Sequence, residues 1–183
     1  MTEPPTIARS ELILGGQKSG KSRRAEALAA HWLREPGHGA VLIATAQARD
    51  EEMRQRIARH QAERTARVPG LRVVEEASAV PAAIMQAGGA ETLRVVDCLT
   101  LWLAQRMEEG APPAADAEAL AQAVARCPGP VVLVGNEIGL GVIPMGREVR
   151  AFVDALGLLN QRAAAACERV TLMAAGLPLV LKG

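Results

Sequence analysis

Glu11-Leu12-Ile13-Leu14-Gly15-Gly16-Gln17-Lys18-Ser19-Gly20-Lys21-Ser22 decides the fold. Leu12 to Leu14 is an apolar run of strand character that leads into a glycine-rich turn. A helical pattern, Arg23 to Ala29, follows. From Gly15 to Ser22 the spacing is G-x-x-x-x-G-K-S, the phosphate-binding P-loop. Gly15, Gly16 and Gly20 let the backbone turn tightly and bring its N–H groups close to phosphate oxygens. The helix that begins near Lys21 points its positive dipole end at the same anion. Lys21 would reach the β- and γ-phosphates, and the Ser22 hydroxyl would ligate Mg²⁺. A glycine turn that binds nothing is the plain alternative, but the strand before and the helix after are the context that phosphate binding requires. The expectation is a nucleoside triphosphate held by Gly15, Gly16, Gln17, Lys18, Ser19, Gly20, Lys21 and Ser22.

Working outward, apolar strands alternate with helical patterns. The first helix runs from about Ser22 to Arg34 and stops before Pro36-Gly37. Val41 to Ala44 reads as a buried strand. Asp50 to His60 reads as a mostly charged helix, capped by Asp50, with Met53, Ile57 and His60 on one face by i, i+4, i+7 spacing. Leu71 to Glu75, Thr92 to Val96, Val131 to Val134 and Arg169 to Met173 read as strands, with Pro178 to Leu181 as a final hairpin partner. Helices are expected over Ser78–Gln86, Leu99–Met107, Asp116–Arg126 and Arg147–Cys167, with a flexible loop over Gly110–Ala115. The pattern predicts an α/β fold: a mostly parallel sheet with helices on both faces, in a single domain over residues 1–183 with a flexible lead-in over residues 1–10. In such sheets ligands sit at the carboxyl ends of the strands, so the chemistry should gather at Gly15, Thr45, Asp97 and Asn136-Glu137.

Composition excludes several classes. The 183 residues carry a formal net charge of +1, so there is no global basic field for nucleic acid. With no Tyr, one Phe and two Trp, base stacking has few platforms. The cysteines, Cys98, Cys127 and Cys167, are odd in number, far apart and form no C-x-x-C, so zinc and a disulfide framework are disfavoured and a reducing cytoplasm fits. No apolar stretch is long enough to span a membrane, and Met1 to Ser10 lacks the apolar core of a signal peptide.

Leu93-Arg94-Val95-Val96-Asp97 is an apolar strand ending in an acid, despite Arg94. Beside a P-loop, such an acid can hold Mg²⁺ or its water shell near Ser22. Glu137 is a second acid at a strand end, a base or equally a loop anchor. His31, in the first helix, and His38, in a turn, read as structural. His60 differs because it shares the inward face of its helix. A neutral imidazole is a competent nucleophile toward phosphorus, although a lone helix histidine is ordinarily structural.

Together these features resemble the bifunctional adenosylcobinamide kinase/adenosylcobinamide-phosphate guanylyltransferase family, of RecA-like P-loop fold. The likeness covers about Glu11 to Lys182. It is carried by the P-loop, by Ile43-Ala44-Thr45-Ala46-Gln47, by Asp50-Glu51-Glu52-Met53 with Arg56-Ile57 and His60, and by Val96-Asp97-Cys98-Leu99-Thr100. It is carried further by Asn136-Glu137-Ile138-Gly139-Leu140-Gly141-Val142-Ile143-Pro144 and Asn160-Gln161-Arg162. The resemblance implies two reactions in cobalamin biosynthesis. A nucleoside triphosphate, ATP or GTP, phosphorylates the aminopropanol hydroxyl of adenosylcobinamide. GTP then donates GMP to that phosphate by way of a histidyl-GMP at His60. The resemblance also implies nucleotide contacts at Ala44, Thr45, Ala46, Gln61, Ala62, Glu63, Arg64, Glu75 and Asp97, with Mg²⁺ at Ser22 and Asp97, and a homotrimer.

The chain departs from the family pattern in places. Gln17-Lys18 stands where a small residue and Arg are usual, so charge is kept and the bidentate fork is not. Asp97 replaces the commoner Glu. Arg59 stands where a second histidine is frequent, leaving His60 as one candidate nucleophile. The connection from His60 to Glu75 is longer than usual. The rival functions are a monofunctional small-molecule kinase, with His60 structural, and a non-enzymatic RecA-like nucleotide switch.

Overall fold

The computed structural model describes residues 6–48, 51, 54–55, 62–64 and 66–183. Its sheet is built from β1 (Ser10–Gly15), β2 (Gly39–Ala44), β3 (Leu71–Glu75), β4 (Thr92–Asp97), β5 (Val131–Val134), β6 (Arg169–Ala174) and β7 (Leu177–Lys182). The helices are α1 (Lys21–Trp32), α2 (Val80–Gln86), α3 (Leu99–Glu108), α4 (Pro113–Arg126) and α5 (Arg147–Ala166). The seven strands run in the order β3-β2-β4-β5-β1-β6-β7. All neighbours pair in parallel except β6 and β7, which form an antiparallel hairpin. The expected α/β fold with a mostly parallel sheet is therefore the observed one, and β5, inserted between the P-loop strand β1 and the acid-tipped β4, gives it RecA-like strand order.

Alternation along the strands divides the core in two. Leu12, Leu14, Val41, Ile43, Val96, Val131 and Leu133 face one layer, where α2 to α5 contribute Ile84, Trp102, Leu120 and Leu159. Ile13, Ala40, Leu42, Leu93, Val95, Val132 and Val134 face the other, covered by Ala25, Leu28 and Ala29 of α1 and by Val68. Strands buried on both faces explain why these segments read as continuous apolar runs rather than alternating ones.

Two of the buried charges, Glu11 and Arg94, lie on the sheet's own strands, each with its own answer. Glu11, 1% exposed, lies on the central strand. Arg24 of α1 pairs with it at 2.8 Å, and the Thr171 hydroxyl donates to it at 2.8 Å. Arg94, 0% exposed, donates to the carbonyls of Ile84 at 3.2 Å and Gly89 at 2.8 Å, and also to those of Gly88 and Thr92. Its guanidinium thus closes the carboxyl end of α2, where a cation meets unpaired carbonyls and the negative dipole end. That is how an arginine fits in an otherwise apolar strand.

Three of the boundaries that differ from expectation have a visible cause. β1 reaches back to Ser10, and Thr6 and Arg9 are hydrogen-bonded before it. The Arg9 N–H donates to Glu168 at 3.0 Å, and the Thr6 carbonyl accepts from Arg169 at 2.8 Å. The loop expected over Gly110–Ala115 ends early, because α4 starts at Pro113. Proline at the first helical position lacks only an N–H that has no helical partner there, so it begins a helix as readily as it breaks one. α2 starts at Val80 rather than Ser78, because the Glu76 carboxylate takes the N–H groups of both Ser78 and Ala79.

Candidate nucleotide site

The P-loop is shaped by what surrounds it. Gly15 has φ 150°, and a Cβ there would lie 2.4 Å from the Met173 carbonyl oxygen and 2.6 Å from the Ser19 hydroxyl, so only glycine fits. Gly20 caps α1 in the left-handed region, φ 102°. Lys18, φ 56°, adds a second left-handed residue at the exposed crest. Mixed left- and right-handed residues of this kind form concave backbone cradles for anions. The Ser19 carbonyl accepts the Gly176 N–H at 3.0 Å, which ties the loop to the β6–β7 hairpin.

Lys21 is 8% exposed, and its ammonium donates to the Gly16 carbonyl at 2.6 Å, folding back across the loop. Burial lowers its pKa from the ordinary 10.5, opposed by Cys98 and Asp97 nearby. A partly desolvated ammonium beside an anion cradle gains strongly from a phosphate, because the charge it meets is poorly screened. Ser22 is half-buried on the first turn of α1.

The strand ends line up as the topology requires. Ala44 of β2 is in register with Glu75 of β3 on one side and Asp97 of β4 on the other, and Asp97 with Val134 of β5. Four strand spacings separate β3 from β1. At ~4.8 Å each that is roughly 19 Å, about the reach of an extended nucleoside triphosphate. Glu75, exposed, stands at the far end of this row from the P-loop.

Thr45 is 1% exposed, and its hydroxyl donates to the Cys98 carbonyl and accepts the Cys98 N–H, each at 2.8 Å. That side chain clasps the ends of β2 and β4 together rather than facing a ligand. Ala46 follows it, half-buried. Ala62 and Glu63 are exposed, Glu63 pairing with Arg67 at 3.5 Å. Arg64 is 7% exposed and bridges two elements, meeting Glu26 of α1 at 3.4 Å and Asp97 at 3.5 Å. Arg67 reaches Glu26 at 3.0 Å. The structure therefore brings together Gly15 to Ser22, Thr45, Arg64 and Asp97. His60 and Gln61 lie outside the described residues.

Sequence reasoning missed Glu26 and gave Asn160 no role. Glu26 lies beside Ala25, Leu28 and Ala29 on the buried face of α1, and that helical spacing was the available signal. Asn160, 4% exposed, donates to the Asn136 carbonyl at 3.0 Å and stands 3.5 Å from the Glu137 carboxylate. The two bland histidines are structural. His38 stacks on Trp32 with centroids 3.9 Å apart and meets Glu91 at 2.8 Å, and His31 sits in α1 with its Nδ1 buried.

A half-buried carboxylate and a half-buried hydroxyl beside a phosphate cradle fit Mg²⁺, which takes few protein oxygens and completes its shell with phosphate and water. Among the described residues no three metal-ligating side chains cluster.

This is a P-loop nucleotide-binding α/β protein, with its acids arrayed along the strand ends beside the loop. The flagellar accessory protein FlaH from Methanocaldococcus jannaschii shares the fold, with a TM-score of 0.54 at 12% identity over 96% of this chain and 79% of that one. A model of the cobinamide kinase / cobinamide phosphate guanyltransferase family matches residues 11–181, and the chain belongs to that family of enzymes. The bifunctional adenosylcobalamin biosynthesis protein CobP of Pseudomonas aeruginosa is 47% identical over 94% of this chain and 97% of its own length. The bifunctional adenosylcobalamin biosynthesis protein CobU of Escherichia coli is 34% identical over 93% of this chain and 98% of its own.

Proposed function

We propose that this enzyme serves cobalamin biosynthesis by phosphorylating adenosylcobinamide and then converting the phosphate to adenosylcobinamide-GDP, with His60 carrying the guanylyl group between the two substrates. In the first reaction the aminopropanol hydroxyl attacks the γ-phosphorus of ATP or GTP, and the nucleoside diphosphate leaves. In the second, an imidazole nitrogen of His60 attacks the α-phosphorus of GTP and pyrophosphate leaves. A phosphate oxygen of adenosylcobinamide phosphate then attacks that phosphorus, the P–N bond breaks, and the imidazole is regenerated.

The observation that carries this reading is the position of Arg64. It is pinned between Glu26 on the P-loop helix and Asp97, and it follows His60 by four residues. Four residues span at most about 14 Å, a separation from Arg64 that would let the His60 imidazole be brought to the nucleotide site. Lys21 and the P-loop backbone would stabilise the charge that develops on the departing pyrophosphate. Ser22 and Asp97 would hold Mg²⁺, which supplies charge neutralisation between the phosphates. Glu75, at the far end of the strand-end row, would contact the nucleoside. The apolar edge strand β7, with Leu177 71% and Leu179 58% exposed, supports association of copies, which the family resemblance implies as a trimer.

Two displacements at one phosphorus give net retention. GTP chiral at an α-thiophosphate should therefore yield product of retained configuration, and the protein should gain an acid-labile GMP adduct that His60→Ala lacks. Net inversion, with no adduct, would leave a kinase without the covalent step.

A further inference from the structure

We propose that Glu137 is the catalytic base of the kinase reaction, taking the proton of the acceptor hydroxyl as it attacks the γ-phosphorus. This rests on the function proposed above and gives a task to a residue that function leaves unused.

Among the described strand ends, three acids could serve. Asp97 is paired with Arg64 at 3.5 Å and has Lys21 close by, so its oxygens are already engaged by cations. Glu75 stands on the edge strand, four strand spacings from the P-loop. Glu137 follows β5, the strand paired directly with β1, and its N–H donates to the Gly15 carbonyl at 3.2 Å. The backbone that carries this carboxylate is thus bonded to the first glycine of the phosphate loop.

The carboxylate is oriented without being neutralised. Oε1 accepts the Gly139 N–H at 3.3 Å, and Oε2 stands 3.5 Å from the Asn160 amide nitrogen. Both donors are neutral and the contacts are long, and among the described residues no Lys or Arg pairs with it. A carboxylate so placed keeps lone pairs for a substrate hydroxyl. Asn160 supports the assignment independently. It is 4% exposed, its nitrogen serves Asn136 and Glu137, and its Oδ1 is buried without a partner. An amide that leaves one end unsatisfied in order to aim the other at a strand end is doing positional service for that end.

The acceptor's approach also fits. Immediately after Glu137 the chain exposes Leu140 at 81%, Val142 at 96% and Ile143 at 77%. A bulky, largely apolar acceptor can rest on that loop while its hydroxyl reaches Glu137. In the step itself, the hydroxyl oxygen bonds to the γ-phosphorus and the bond to the β–γ bridging oxygen breaks. The nucleoside diphosphate leaves with the electron pair, and the proton passes to Glu137 and on to solvent.

The test is Glu137→Gln, which keeps shape and the Gly139 contact, assayed in both reactions. The kinase kcat with adenosylcobinamide should fall about 10²- to 10⁴-fold, and the limb of its pH profile that reports deprotonation of the base should vanish. Guanylyl transfer to adenosylcobinamide phosphate, supplied ready-made, serves as the internal reference and should stay within about threefold. Glu137→Asp should retain more kinase activity than Glu137→Gln. A kinase rate kept within fivefold, or equal losses in both reactions, overturns the assignment. A wild-type enzyme that transfers no phosphoryl group to adenosylcobinamide overturns the function itself, a result distinct from an active wild type with an active variant.

Discussion

Two glycine-containing loops leave neighbouring parallel strands at the same edge of the sheet, and they are built in opposite ways. The P-loop after β1 is locked by its own chain: Gly15 against Met173, Ser19 to Gly176, Lys21 to Gly16. The loop after β5 ends with its Pro144 and Met145 carbonyls held by Arg150, but its apolar side chains project outward, Met145 being 97% exposed. Beneath it a shallow cleft is lined by Ile138, Val142, Ile143, Pro144 and Val153. The difference is what the two proposed ligands would require. A triphosphate is recognised by fixed N–H groups and one ammonium, which cost no reorganisation if they are in place beforehand. A large apolar acceptor is recognised by surface that must stay uncovered until it arrives.

The comparison breaks most readily at Lys21. Lys21→Ala should lower kcat about 10³-fold in both reactions, since each passes negative charge through the P-loop, with little change in denaturation midpoint. If phosphoryl and guanylyl transfer respond differently, the two reactions do not share the cradle. A smaller effect, on stability rather than turnover, is expected at Arg64. Arg64→Met removes the buried cation that Glu26 and Asp97 share and should cost about 3 kcal/mol by urea denaturation. Pairing it with Glu26→Gln should recover part of that loss, because the uncompensated charge is then gone. Full additivity would show that Arg67 alone satisfies Glu26. The least effect belongs to the outward loop. Val142→Ser with Ile143→Ser should leave stability unchanged, because both side chains are already in solvent. The KM for adenosylcobinamide should rise about tenfold as apolar contact is lost, with the KM for GTP unaffected. A loss of stability would mean that the loop packs within the chain or against another copy.

Much of this was legible beforehand where chemistry is local. The P-loop carries its own geometry in eight consecutive residues, and β3 and β5 have the bounds read from the sequence. Pro113 misled because proline both stops helices and starts them, and the residues on either side do not distinguish the two. Thr45 was placed correctly at a strand end, but its hydroxyl is consumed by the Cys98 backbone, a partner 53 residues away. Arg94 looked like a flaw in a strand, and its acceptors proved to be carbonyls between the end of α2 and the start of β4.

The sequence alone determined the strand–helix alternation, the phosphate loop and the set of strand-end acids, because periodicity and turn chemistry act over a few residues. Only the tertiary structure decided what each charge does. It set Arg64 between Glu26 and Asp97, buried Glu11 against Arg24, and left Glu137 beside Gly15 with neutral partners. The role of a charge depends on its partners and on its exclusion from water, and both are set by elements far apart along the chain.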